Sequence, residues 1–156
     1  REDSLKKIIL ELASGSKHEE KQEVYLFRGA EGLKSVYDDM LKIGGEYIGY
    51  GPGEQLEKIL KFYLTHFIEQ RKKKKLKTRL IYNESARGKK FTNMPLSEVR
   101  FFPEQYSSHA ALRIYGNKVA IMLLSEEKPL AIVIDNKAVS DGYKKYFEII
   151  WGAAKK

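Results

Sequence analysis

The chain has 156 residues, which suits one domain with a real core. Its 29 Lys and Arg against 21 Asp and Glu give a net charge of +8, which permits an acidic partner such as nucleic acid without specifying one. The absence of cysteine excludes disulfides, thiolate metal sites and cysteine nucleophiles and fits a cytoplasmic protein, and no apolar run approaches the roughly 18 residues of a membrane helix.

The chain opens at Arg1, inside what reads as a helix, so the expectation is a segment cut from a longer protein. Leu5, Ile8, Ile9 and Leu12 form one apolar stripe at helical spacing, and residues 1–16 are expected to be the end of a linker helix. Residues 17–156 are then one domain. Glu23–Arg28 alternates and predicts a strand. Leu33, Val36, Tyr37, Met40 and Leu41 predict an amphipathic helix closed by Gly44-Gly45. Glu46–Tyr50 is a second strand. Gly51-Pro52-Gly53 then opens what reads as the longest helix, with Leu56, Ile59, Leu60, Tyr63, Leu64, Phe67 and Ile68 on one face, running into Arg71 and four lysines.

Lys77–Tyr82 and Glu98–Phe102 are further strands, separated by a polar stretch over Asn83–Pro95 that reads as a loop or a short irregular helix. His109–Tyr115 and Lys118–Leu124 flank Gly116-Asn117, a two-residue hairpin signal, and Leu130–Ile134 follows Pro129. The middle of the sheet is expected there. Asp135-Asn136 can cap a last helix whose inner face is Val139, Tyr143, Tyr146, Phe147, Ile150, Trp151 and Ala154, with an irregular first turn expected near Gly142. Early alternation of strand and helix with a late hairpin predicts an α/β fold, a mixed sheet flanked by helices.

Five stretches occur in one order: Val24-Tyr25-Leu26-Phe27-Arg28-Gly29-Ala30-Glu31-Gly32, Tyr47-Ile48-Gly49-Tyr50-Gly51, Arg113 through Ile121, Pro129 through Ile134, and Tyr146-Phe147-Glu148-Ile149-Ile150-Trp151. In that order and spacing the chain resembles the domain that follows the winged helix in TrmB-like, mostly archaeal, transcriptional regulators. That domain is similar in fold to one half of a phospholipase D-type protein. The resemblance implies a regulatory domain that dimerises and takes a small-molecule effector, with DNA bound through an N-terminal winged helix that this chain lacks. No cofactor is expected.

Phospholipase D-type enzymes use His-x-Lys-x-x-x-x-Asp, in which histidine attacks phosphorus and lysine binds the phosphate oxygens. Aligning His109 with the nucleophile puts Ala111 at the lysine and Gly116 at the aspartate. On this ground the chain is expected not to be an enzyme, with a degenerate phosphodiesterase or nuclease and a basic nucleic-acid-binding module as the alternatives. His109 reads either as a polar residue at a strand end or as an effector contact with Arg113 and Tyr115, which share its face in a regular strand. Tyr50, at a strand end that can wall a cleft, and Arg28 complete the candidate ligand-binding set. Lys72, Lys73, Lys74 and Lys75 are candidate contacts to nucleic-acid phosphates, or else a solvated helix end that complements the helix dipole. Gly49-x-Gly51-x-Gly53 is read as turn chemistry. Three scattered histidines show no metal-ligand spacing, and the pairs Asp38-Asp39 and Glu126-Glu127 read as solvated surface.

Overall fold

The computed structural model describes residues 5–6 and 21–156. Leu5 and Lys6 are helical and exposed, and the rest of the predicted linker stripe, Ile8, Ile9 and Leu12, lies outside the described residues. The strands are β1 (Glu23–Arg28), β2 (Tyr47–Gly51), β3 (Thr78–Asn83), β4 (Ser97–Phe102), β5 (Ala110–Tyr115), β6 (Lys118–Leu123) and β7 (Leu130–Asp135). The helices are α1 (Gly29–Ile43), α2 (Glu54–Leu60), α3 (Phe62–Lys74) and α4 (Lys137–Ala153).

All seven strands form one sheet in the order β1-β7-β6-β5-β2-β3-β4. The parallel pairs are β2 with β3 and β3 with β4; the other pairs are antiparallel. The predicted hairpin is present, and β5 is the central strand. Alternation along each strand divides the core in two. Tyr47, Leu80, Tyr82, Ala111, Tyr115 and Ala120 face α1, α2 and α3. Ile48, Ile81, Leu112, Ile114 and Val119 face Phe147 and Trp151 of α4. The mixed sheet with helices on both faces is the class predicted from the sequence.

The predicted longest helix is two helices. Lys61 adopts φ 50 and ψ −124 between α2 and α3. Its N–H still donates to the Glu57 carbonyl at 2.9 Å, and the Leu64 N–H donates to the Lys61 carbonyl at 3.2 Å. The break therefore leaves these backbone groups satisfied, and nothing in the side-chain pattern signals it. A β-carbon in this backbone region is strained, so Lys61→Gly is expected to stabilise the fold by about 1 kcal/mol in urea titration; a destabilised variant would show that Lys61 carries no strain.

The last helix is regular through Gly142, contrary to the irregular first turn expected there. Asn136 caps it, its side chain accepting from the Val139 N–H at 2.9 Å. Ser140 Oγ and Lys144 Nζ both donate to the Gly116 carbonyl at 2.9 Å, which pins the β5–β6 turn to this helix. The Phe147-Glu148-x-x-Trp151 pattern has a physical reason. Phe147 and Trp151 stack at 5.8 Å, and Arg79 of β3 lies over both rings while pairing with Glu148 at 2.6 Å. Arg100 of β4 sits 4.4 Å over Trp151 and donates to its carbonyl.

Candidate functional site

The sheet has two chemically distinct ends. At the upper end β2, β3 and β4 finish and β5 begins; at the lower end β3 begins and β5 turns at Gly116. The upper end holds a cavity of about 420 Å³ between the sheet and α4. Tyr50, Phe102, Pro103, Ile149 and Ile150 wall it, and Asn83, Ser108 and Tyr106 add polar groups to its lining. Tyr50 and Phe102 meet edge to face at 5.6 Å. Asn83 Nδ2 donates to the Ser108 carbonyl at 3.1 Å, while its buried Oδ1 has no partner among the described residues. Such a site suits a largely apolar molecule that brings one hydrogen-bond donor.

The predicted ligand-binding residues are distributed rather than gathered. His109 is exposed, one residue before β5, between Ser108 and Ala110 of the cavity wall. Arg28 is exposed at the same sheet end, and its register row places it three strands away, about 15 Å. Tyr50 lines the upper cavity on the α4 side. Arg113 and Tyr115 follow His109 by alternation but are buried on the opposite face, each 1% exposed. Tyr115 lies at the lower end beside Asp39, where burial pushes its phenol pKa well above the ordinary value.

Arg113 is the largest of the fully buried side chains. Its Nη1 donates to the Tyr50 carbonyl at 3.0 Å and the Leu112 carbonyl at 2.9 Å. Burial opposes its charge, and the facing oxygens of Tyr37, Tyr82 and Tyr47 outweigh that, so that its pKa lies above the ordinary arginine value. The glycines read as turn chemistry provide clearance here. Gly49 pairs with Arg113 across β2 and β5, and a Cβ on Gly49 would stand 2.0 Å from the Leu112 carbonyl oxygen. A Cβ on Gly53 would meet the Phe91 ring at 2.1 Å.

Lys72, Lys73, Lys74 and Lys75 are exposed at the lower end, opposite the cavity. Lys74 Nζ donates to the Leu41 carbonyl at 3.0 Å, and Lys75 closes α3 in the left-handed conformation. Arg71, first of this basic run, is buried instead. Its Nη2 donates to the carbonyls of Leu76 and Leu96, and its guanidinium lies 5.3 Å from the Tyr47 ring centre. No described helix is long and apolar enough to cross a membrane.

No protein-family model matches the chain, and no curated protein matches it in sequence. Solved structures do match in fold. TrmBL2, described as an archaeal chromatin protein with a novel mode of DNA binding, superposes with a TM-score of 0.62 at 17% identity, over 99% of this chain and 62% of TrmBL2. The chain thus spans less than two thirds of that protein. NucT from Helicobacter pylori superposes with a TM-score of 0.63 at 10% identity, over 86% of this chain and 99% of NucT. Nuc from Salmonella typhimurium, a phospholipase D family member, gives 0.58 at 14% identity, over 86% of this chain and 97% of Nuc.

These neighbours correct one expectation. The absence of the lysine and aspartate at Ala111 and Gly116 is the ground for expecting no enzyme, yet the fold matches almost the whole of Nuc, a phospholipase D family member, and of NucT. The geometry removes the aspartate from that ground. His109 and Gly116 lie at opposite ends of β5, about 20 Å apart, so a carboxylate at position 116 would not reach the histidine. Its absence says nothing about the groups around His109. The resemblance to a TrmB-like, phospholipase D-like domain stands at the level of fold, and this chain has that α/β fold.

Proposed function

We propose that this chain is the regulatory domain of a TrmB-like DNA-binding protein of the cytoplasm, which forms a homodimer and takes a small, largely apolar effector at the upper end of its sheet. The cavity of about 420 Å³ carries this reading, because its aromatic and aliphatic walls and its unpartnered Asn83 Oδ1 suit an effector with one donor group. The α4 residues Tyr146 and Ile149, 62% and 72% exposed, continue the apolar surface beside it and support a protein contact. Base recognition belongs to another segment of the parent protein, in keeping with the partial coverage of TrmBL2.

Native mass spectrometry of the purified protein and of Ala153→Trp, which fills the cavity, tests both parts. The expected result is a dimer carrying a co-purified small molecule, with the molecule lost and the dimer kept in the variant. A monomer would remove dimerisation, and a bound molecule retained by Ala153→Trp would remove the cavity.

Lys72 to Lys75 serve in this reading as auxiliary phosphate-binding groups. Replacing all four by alanine in the parent DNA-binding protein is expected to flatten the log–log dependence of DNA affinity on salt by about 0.9 for each phosphate no longer neutralised. An unchanged slope would make the run a solvated helix end alone.

A second reading, phosphodiester hydrolysis, is favoured by the exposure of His109 at the upper end of the sheet in a fold shared with Nuc. Its test is metal-free hydrolysis of a nitrophenyl phosphodiester, with the rate falling about 100-fold or more in His109→Ala. A residual rate that this substitution leaves untouched would assign the hydrolysis to a contaminant.

A further inference from the structure

The interior between the sheet and helices α1 to α3 contains a second, separate cavity of about 50 Å³. Two guanidinium groups line it, Arg71 from α3 and Arg113 from β5, 3% and 1% exposed. The tyrosines Tyr37, Tyr47 and Tyr82 also line it, and its lining contains no Asp or Glu. The carboxylates nearest in sequence are engaged elsewhere: Asp38 accepts from Tyr63, and Asp39 pairs with Lys118 at 2.6 Å. Both arginines donate to neutral backbone carbonyls. Arg71 Nε is buried and has no hydrogen-bond partner among the described residues, and the buried Tyr37 hydroxyl turns its oxygen to the Arg113 guanidinium, with no acceptor for its proton.

A buried charge without a counter-charge is costly, and an unmet buried donor adds to that cost. Here two cations and an unmet phenol border the same void. Building this arrangement requires specific clearances, since Gly49 leaves the space through which the Arg113 side chain passes and Gly53 leaves that for Phe91. We infer that this inner cavity binds a small monoanion, of halide or formate size, held by the guanidinium groups of Arg71 and Arg113 and by the Tyr37 hydroxyl. The volume sets the size class. About 50 Å³ holds a few waters, which admits a halide or a one-carbon carboxylate and excludes a phosphodiester. The anion supplies the negative charge that the protein does not place among these residues, and the Tyr37 hydroxyl donates its proton to it. This site is independent of the upper cavity, so its fate and that of the effector reading are decided separately.

The test uses the full chain. Thermal unfolding is followed while sodium bromide or sodium formate replaces sodium gluconate, whose anion is too large to enter, at fixed ionic strength. The unfolding midpoint is expected to rise saturably with bromide and with formate. Tyr37→Phe removes only the hydroxyl and is expected to weaken the apparent formate affinity about tenfold or more. Crystals soaked in bromide are expected to show anomalous density inside this cavity. A midpoint equally high in gluconate, a Tyr37→Phe titration that matches the parent, or bromide found only on surface lysines would each overturn the inference.

Discussion

Raising the pH from 10 towards 12 is expected to unfold the domain over a narrow interval. Tyr37, Tyr47, Tyr82 and Tyr115 are buried on one face of the sheet, and burial raises the phenol pKa of each, that of Tyr47 from 10.0 to about 12. Nearby arginines pull three of them the other way, Arg113 at Tyr37 and both Arg71 and Arg113 at Tyr47 and Tyr82, without overcoming burial. The sign follows from proton binding. Below pH 10 the phenols are protonated in folded and unfolded chains alike, and stability is intact. Above it the unfolded chain releases protons that the folded chain retains, so stability falls as pH rises through about 12. Each phenol contributes up to about 1.4 kcal/mol per pH unit in that window, and four acting together approach the whole stability of an ordinary domain. Tyrosinate absorbance and far-ultraviolet circular dichroism, followed in one titration, check this. The buried phenols should ionise together with the loss of helix signal. All ten tyrosines ionising near pH 10 with the fold intact would rule it out.

Gly49→Ala is expected to destabilise the fold by at least about 3 kcal/mol. The added carbon would stand 2.0 Å from the Leu112 carbonyl oxygen and 3.0 Å from Arg113 Cδ. Neither can step aside cheaply, because Leu112 is in the β2–β5 ladder at the middle of the sheet and Arg113 is anchored at Nη1. Gly152→Ala in α4 is the matched control. Nothing lies within 4 Å of its added carbon, and helix propensity alone predicts a gain of about 0.5 kcal/mol. Urea midpoints of the two variants should move in opposite directions. A Gly49→Ala protein as stable as the parent would mean that β2 and β5 can separate without loss.

The elements were legible because their periodicity is clean. Val24, Leu26 and Phe27 mark β1, Gly116-Asn117 marks the hairpin, and Asn136 caps α4, each where the sequence places it. Depth was less legible. Alternation puts His109 and Arg113 on one face but does not say that one is solvated and the other enclosed, since that depends on which helices cover each row of the sheet. Arg71 shows the same limit. It opens a run of cations that reads as surface, and only the docking of α3 over Tyr47 carries it inside. Gly49 reads as part of a turn because its pairing with Arg113 depends on a register between segments more than sixty residues apart. The upper cavity draws its walls from β2, β4 and α4, segments far apart in the chain, so no local stretch announces it.

The pairing of β1 with β7 has a consequence for how the chain is made. β1 is made before the other six strands of this sheet, yet its register partners are Leu130 to Asp135, synthesised more than a hundred residues later. The parallel β2–β3–β4 unit with its helices has its own partners much earlier. Until β7 is made, therefore, a strand bearing Val24, Leu26 and Phe27 waits with both of its edges unpaired, and the nascent chain is most open to capture by other strands in that interval. The sheet can be completed only when β7 closes against the strand made before all the others.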